Sequence, residues 1–138
     1  MVELTRVYHF SAAHQLANPA LSREQNTALY GGCHGSHGHN YYLEVTVIGR
    51  PDPVTGMAAD LGGLDDAVSD AVLAKVDHRA LEEVPALRGV ITTGEGLARA
   101  FWRILAPALP EGTLRRVAVV ETAKNRFEYE GEAGCSKS

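Results

Sequence analysis

With 138 residues, 45% of them apolar and 22% charged, the chain matches a single globular domain of ~100–150 residues and excludes both a second core and a largely disordered polymer. Acidic side chains outnumber basic ones 17 to 13, for a net charge of -4 with no Lys/Arg cluster, which argues against a nucleic-acid partner. No apolar run approaches the ~18 residues of a membrane span, Met1-Val2-Glu3-Leu4-Thr5-Arg6 lacks the layout of a signal peptide, and Cys33 and Cys135 alone make no disulfide framework; a cytoplasmic protein with a free thiol is expected.

Residues Glu3 to Ala13 are rich in β-branched and aromatic types. Alternation places Tyr8, Phe10, Ala12 and His14 on one face of a strand, with His14 at its end. Leu16 to Gly32 carries Asn18-Pro19, Asn26 and Gly31-Gly32 and reads as a long loop with one helical turn around Ser22 to Asn26. Loops of this length are often functional. From His37 to Gly49 the odd positions His37, His39, Tyr41, Leu43, Val45 and Val47 share one face of a second strand, which Pro51-Asp52-Pro53 stops.

Leu61, Leu64, Val68, Ala71, Val72 and Val76 recur at helical intervals, predicting an amphipathic helix to about Val76 with Asp77-His78 at its exit. A second helix opens at Thr92-x-x-Glu95, read as a capping box, and carries Leu97, Phe101, Ile104 and Leu105 until Pro107 and Pro110 end it. Leu114 to Thr122 and Arg126 to Gly131 alternate and form a hairpin around Ala123-Lys124-Asn125. The expected fold is therefore α+β: a four-stranded antiparallel sheet with two helices on one face. Its two open edges invite pairing between subunits.

The strongest chemical feature is Cys33-x-x-x-His37-Gly38-His39, with His14 upstream. On a strand, residues 37 and 39 point the same way with Cα atoms ~7 Å apart, close enough to share one metal ion. His14, ending another strand, supplies a third nitrogen. Three imidazoles leave one tetrahedral position open, the arrangement of a catalytic zinc. Cys33 has three readings: a fourth ligand closing the shell, an inert core residue, or a thiolate acting as base or nucleophile beside the metal. Asp77-His78 pairs a carboxylate with an imidazole at a helix exit, which a purely structural role also accommodates. Glu121 shares the parity of Val117 and Val119, so a carboxylate faces the core side and needs either a donor-rich ligand or a buried Arg. Cys135 reads as an incidental tail thiol.

Phe10-Ser11-Ala12-Ala13-His14, Cys33-x-x-x-His37-Gly38-His39-Asn40-Tyr41, Asp52-Pro53-Val54-Thr55-Gly56-Met57, Leu64, Asp77-His78-x-x-Leu81 and Val120-Glu121-Thr122 occur in this order. Together they resemble the 6-pyruvoyltetrahydropterin and 6-carboxytetrahydropterin synthases over nearly the whole chain. The resemblance implies Zn2+ held by His14, His37 and His39, a proton-abstracting Cys33 thiolate, and a second proton-handling pair in Asp77 and His78. It also implies a pterin anchor at Glu121, with Thr93 and Glu95 lining the pterin loop. The implied architecture is the tunnelling fold, or T-fold, in which sheets join into a barrel; two trimers stack as a homohexamer with sites at subunit interfaces. Gly94 and Gly96 stand where some relatives carry Thr and Asn, which leaves Thr93 and Glu95 as the pterin contacts expected at this loop. Gln15 stands where relatives often carry Arg, so no triphosphate-binding residue is assigned.

The three-residue spacing between Cys33 and His37 resembles the bacterial carboxy enzymes of the queuosine pathway. It favours conversion of 7,8-dihydroneopterin triphosphate to 6-carboxy-5,6,7,8-tetrahydropterin with release of acetaldehyde and triphosphate. Asn18-Pro19-Ala20-Leu21-Ser22 and the Asp52 to Met57 stretch look instead like the animal enzymes, making 6-pyruvoyltetrahydropterin the alternative product. A non-catalytic zinc module, with Cys33 completing a closed shell of four ligands, is the reading from another class.

Overall fold

The computed structural model describes residues 1–131. The two long runs of alternating apolar residues become strands β1 (Val2–His14) and β2 (His37–Gly49). They pair antiparallel over their full length, from Val2 opposite Gly49 to His14 opposite His37. The intervening chain therefore leaves and returns at one end of the sheet, and both histidines sit at that end.

That connection holds a helix, α1 (Arg23–Tyr30), longer than the single turn expected around Ser22 to Asn26. The Ser22 hydroxyl accepts from the Gln25 N–H and the Gln25 side chain accepts from the Ser22 N–H. This reciprocal cap was legible as Ser22-x-x-Gln25. Asn26 is buried and anchors the loop: its Oδ1 accepts from Asn18 N–H at 2.7 Å, and its Nδ2 donates to the carbonyls of Asn18, Leu21 and Ser22. A 3-10 turn, Gly31–His34, leads back into β2.

The helical pattern from Leu61 to Val76 forms α2 (Leu61–Val68), a π-helical turn over Ser69–Leu73, and α3 (Ala74–Val76). Asp60 caps its start by accepting from Gly63 N–H. Beyond it, β3 (Arg79–Ala80) pairs parallel to Ala12 and Ala13 of β1. The sheet thus has five strands where four were expected, because two residues are too few to show an alternation. Helix α4 (Gly94–Leu105) begins one residue later than the expected Thr92 cap: the Thr93 hydroxyl accepts from Gly96 N–H at 3.1 Å. Strands β4 (Leu114–Thr122) and β5 (Asn125–Tyr129) complete the order β3-β1-β2-β4-β5.

One apolar cluster joins the inward face of the sheet, with Phe10, Tyr41, Leu43, Val45, Val117 and Val119, to the helical stripes. Leu64, Val68, Val72 and Val76 come from the first helical rod, and Leu97, Phe101 and Leu105 from α4. Each such side chain contributes about 1.5–3 kcal/mol on burial, so the core clamps both helices to one face. No helix among the described residues is long and apolar enough to cross a membrane.

Candidate metal centre and active site

Strand register builds the centre. His14 ends β1 and His37 begins β2 as direct partners, while His39 lies two residues on, opposite Ala12. The two-residue period of a strand puts His37 and His39 on the same side as His14. Their ring centroids are 4.4, 5.0 and 4.9 Å apart, and one nitrogen from each lies within 4.8 Å of the others.

Backbone carbonyls orient two of the rings. His14 Nδ1–H donates to Thr92 O at 2.8 Å and His37 Nδ1–H donates to Gly35 O at 2.8 Å. Neutral imidazoles held in this way present bare lone pairs at Nε2. The two Nε2 atoms lie 2.9 Å apart, a contact that either a shared proton or a metal ion held by both would stabilise. His39 Nε2 is buried without a hydrogen-bond partner among the described residues; Glu121 Oε1 is 3.9 Å away. Burial is the main cause that lowers the proton affinity of His14, and His37 and His39 add to it against the Thr92 carbonyl. A tetrahedral ion with Zn–N bonds of ~2.0–2.1 Å sets its nitrogens roughly 3.3 Å apart, between the 2.9 Å and 4.8 Å found here. The donor set suits such an ion.

Glu121 enters from β4, facing the core side as its parity requires. The ladder to β5 slips between Val120 and Thr122, so Glu121 occupies a bulge, a device that re-aims a side chain. Two further buried groups nearby lack partners among the described residues: the Tyr41 hydroxyl and the Thr92 Oγ1. Burial, followed by the charges of Glu121 and Glu82, pushes the Tyr41 phenol well above its ordinary value. Thr92 and Gly35 were missed from the sequence, because a backbone carbonyl that orients a ring leaves no signature of residue type.

The remaining candidates are placed unevenly. Asp77 follows α3, as expected, and its Oδ1 accepts from Ser11 N–H at 2.9 Å. His78 Nε2 is 3.7 Å from that oxygen, too far for a hydrogen bond, and its side chain is 82% exposed. His78 has φ 58°, a left-handed conformation uncommon outside glycine and often found at functional sites. Its N–H donates to Ser11 O at 2.6 Å. Thr93 caps α4, and Glu95 is exposed in the first turn. A Cβ at Gly94 would stand 1.9 Å from the Phe127 ring, and one at Gly96 would stand 1.9 Å from Ile91 O, so both glycines answer to packing. The backbone of Cys33 lies in the Gly31–His34 turn; its side chain, like Cys135, lies outside the described residues.

A family model described as 6-pyruvoyl tetrahydropterin synthase matches residues 3–132. The 6-pyruvoyl tetrahydrobiopterin synthase of Poecilia reticulata is 42% identical over 132 residues, covering 94% of this chain and 90% of that protein. Its Homo sapiens namesake is 40% identical, covering 94% and 92%. The 6-carboxy-5,6,7,8-tetrahydropterin synthase of Aquifex aeolicus is 27% identical, covering 94% and 98%. Among solved structures, the 6-pyruvoyl tetrahydropterin synthase of Caenorhabditis elegans superposes with a TM-score of 0.89 at 36% identity, covering 95% of this chain and 96% of that one.

Proposed function

Because this chain belongs to the 6-pyruvoyl tetrahydropterin synthase family, we propose that this lyase eliminates triphosphate from 7,8-dihydroneopterin triphosphate to form 6-pyruvoyltetrahydropterin. The observation that carries the reading is the three-imidazole cluster with its Nε2 lone pairs turned inward, beside the re-aimed carboxylate of Glu121. His14, His37 and His39 would hold zinc, which lowers the barrier to removing protons from the substrate's hydroxyls and adjoining carbons.

Glu121 accepts from the 2-amino group and ring N–H of the pterin, a bidentate contact that fixes the ring's orientation. Cys33 takes the first side-chain proton as thiolate, and Asp77 with His78 handles the second. The Thr93 hydroxyl accepts from Gly96 N–H and keeps its own proton to donate, so it lines the pterin loop together with Glu95. The described edges of β1 and β5 lack strand partners over most of their length, which supports pairing of sheet edges between copies; the assembly we propose is a homohexamer of two trimers, in the cytoplasm.

This choice of product reverses the preference drawn from the Cys33–His37 spacing. Identity of 42% and 40% to pyruvoyl enzymes, against 27% to a carboxy enzyme, outweighs one loop length. The carboxy reaction of the queuosine pathway stays as the second reading because of that spacing. Incubating the zinc-loaded protein with 7,8-dihydroneopterin triphosphate separates them. Pyruvoyl product without acetaldehyde, lost in Cys33→Ala, is the expected result. Acetaldehyde with 6-carboxytetrahydropterin would install the second reading, and no turnover would leave a non-catalytic zinc module.

A further inference from the structure

An open cavity of about 480 Å³ lies against the sheet, walled by Ser11 and Asn40 on one side and by His78 and Arg79 on the other. Ala13 and Gly38 also line it, and a methyl group at one and no side chain at the other leave space for bulky tetrahedral groups. Ala12 and His39 border the cavity too, but positions 11, 13, 38 and 40 alternate with the imidazole cluster, so the side chains of Ser11, Ala13 and Asn40 lie on the opposite face of the sheet.

The groups offered to this cavity are mainly donors. The Ser11 hydroxyl donates to Asn40 Oδ1 at 2.7 Å, which leaves both Asn40 amide protons uncommitted. Arg79 is exposed, held in place by the pairing of β3 with Ala12. None of its guanidinium donors has an ion-pair or hydrogen-bond partner among the described residues, whereas Arg6, Arg115, Arg116 and Arg126 are all paired. His78 adds a largely exposed imidazole. The neighbouring carboxylate, Asp77, is tied to the Ser11 N–H. In a chain of net charge -4, a pocket with an unpaired guanidinium and a free amide matches the geometry of phosphate oxygens.

We propose that Asn40, His78 and Arg79 form a polyphosphate-binding subsite, filling the role for which Gln15 offers no cation. As the seat of the substrate's triphosphate, it rests on the function proposed above. Because it lies across the sheet from the imidazoles of its own chain, the triphosphate it takes belongs to a substrate bound at a second copy.

The test uses inorganic tripolyphosphate as the probe, titrated calorimetrically into the full-length zinc-loaded protein. Wild type binds with an affinity that falls as salt rises. Arg79→Gln and Asn40→Ala each weaken binding by about tenfold or more, while Arg79→Lys recovers part of the loss. Arg79→Gln also raises KM for the triphosphate substrate without changing the affinity for dephosphorylated 7,8-dihydroneopterin. Co-expressed His37→Ala and Arg79→Gln chains regain, at low substrate, part of the rate each lacks alone; no recovery would overturn the shared arrangement. Tripolyphosphate binding indifferent to Arg79 would overturn the subsite even if turnover is normal. Arg79-dependent binding in a protein that does not turn over the pterin triphosphate would sink the proposed function and leave the subsite standing.

Discussion

His14 and His37, partners at the last rung of the β1–β2 ladder, hold their Nε2 atoms 2.9 Å apart while each Nδ1–H is committed to a backbone carbonyl. Two nitrogens so placed repel unless a proton or a metal ion is shared between them. The protein should therefore bind one zinc ion per chain, and His14→Ala or His37→Ala should abolish it, as metal analysis after dialysis would show. At a free zinc concentration one hundred times Kd the ion adds about 2.7 kcal/mol of stability, read as a rise in Tm. Protons compete for the same lone pairs, so affinity falls as pH is lowered. Undiminished zinc content in both variants would remove the centre from these residues.

Gly94 is expected to tolerate no side chain. Its Cβ would meet the Phe127 ring at 1.9 Å, and overpacking of this kind costs about 1–3 kcal/mol or more. Gly94→Ala should lower Tm by several degrees, and adding Phe127→Ala should return part of the loss that Gly94→Ala causes. Equal melting of Gly94→Ala and wild type in a calorimeter would contradict the contact.

Asn26 is the hydrogen-bonding hub of the β1–β2 connection, serving Asn18, Leu21 and Ser22 at once. Asn26→Ala leaves several of those backbone groups unpaired, at about 1–3 kcal/mol. Limited proteolysis checks where the damage falls. Faster cutting between residues 16 and 30, ahead of global unfolding, is the expected pattern.

Arg6 donates through Nε and Nη2 to the two carboxylate oxygens of Asp65, at 3.0 and 2.9 Å, and Tyr8 donates to Oδ1 at 2.8 Å. These bonds, Arg6 first and Tyr8 next, hold the Asp65 carboxyl below its usual range. A lowered folded-state pKa means stability that is present above the unfolded value of about 3.9 and lost as pH falls through the folded one. Melting curves from pH 6 down to pH 2.5 should show wild type losing more Tm than Asp65→Asn over the acid end. Parallel profiles would show that the Arg6–Asp65 link between β1 and α2 contributes nothing.

The elements legible in the chain are those whose period runs long enough to register. Alternation over 13 residues located both long strands, and with them the shared face of His37, His39 and Tyr41. The stripe from Leu61 to Val76 located a helix, though not the π-helical turn at Ser69–Leu73, which preserves an apolar pattern while altering the hydrogen bonding beneath it. Strand β3 escaped notice because two residues carry no period. Thr92 was mistaken for the α4 cap because two threonines stand side by side, and only the direction of the Gly96 N–H separates them.

Residue type and spacing by themselves put His37 and His39 on one strand face and turned the Glu121 carboxylate toward the core side, since strand parity is a local property of the chain. The motifs shared with a known family joined these groups and His14 into one chemistry. The tertiary structure alone decided how they meet. It set His14 against His37 through the register of strands joined by a 22-residue connection (positions 15 to 36), supplied the Thr92 and Gly35 carbonyls that choose each ring's tautomer, and brought Glu121 Oε1 within 3.9 Å of His39 Nε2. Those choices depend on backbone groups identical in every residue and on contacts between distant segments, so no local pattern of side chains can encode them visibly.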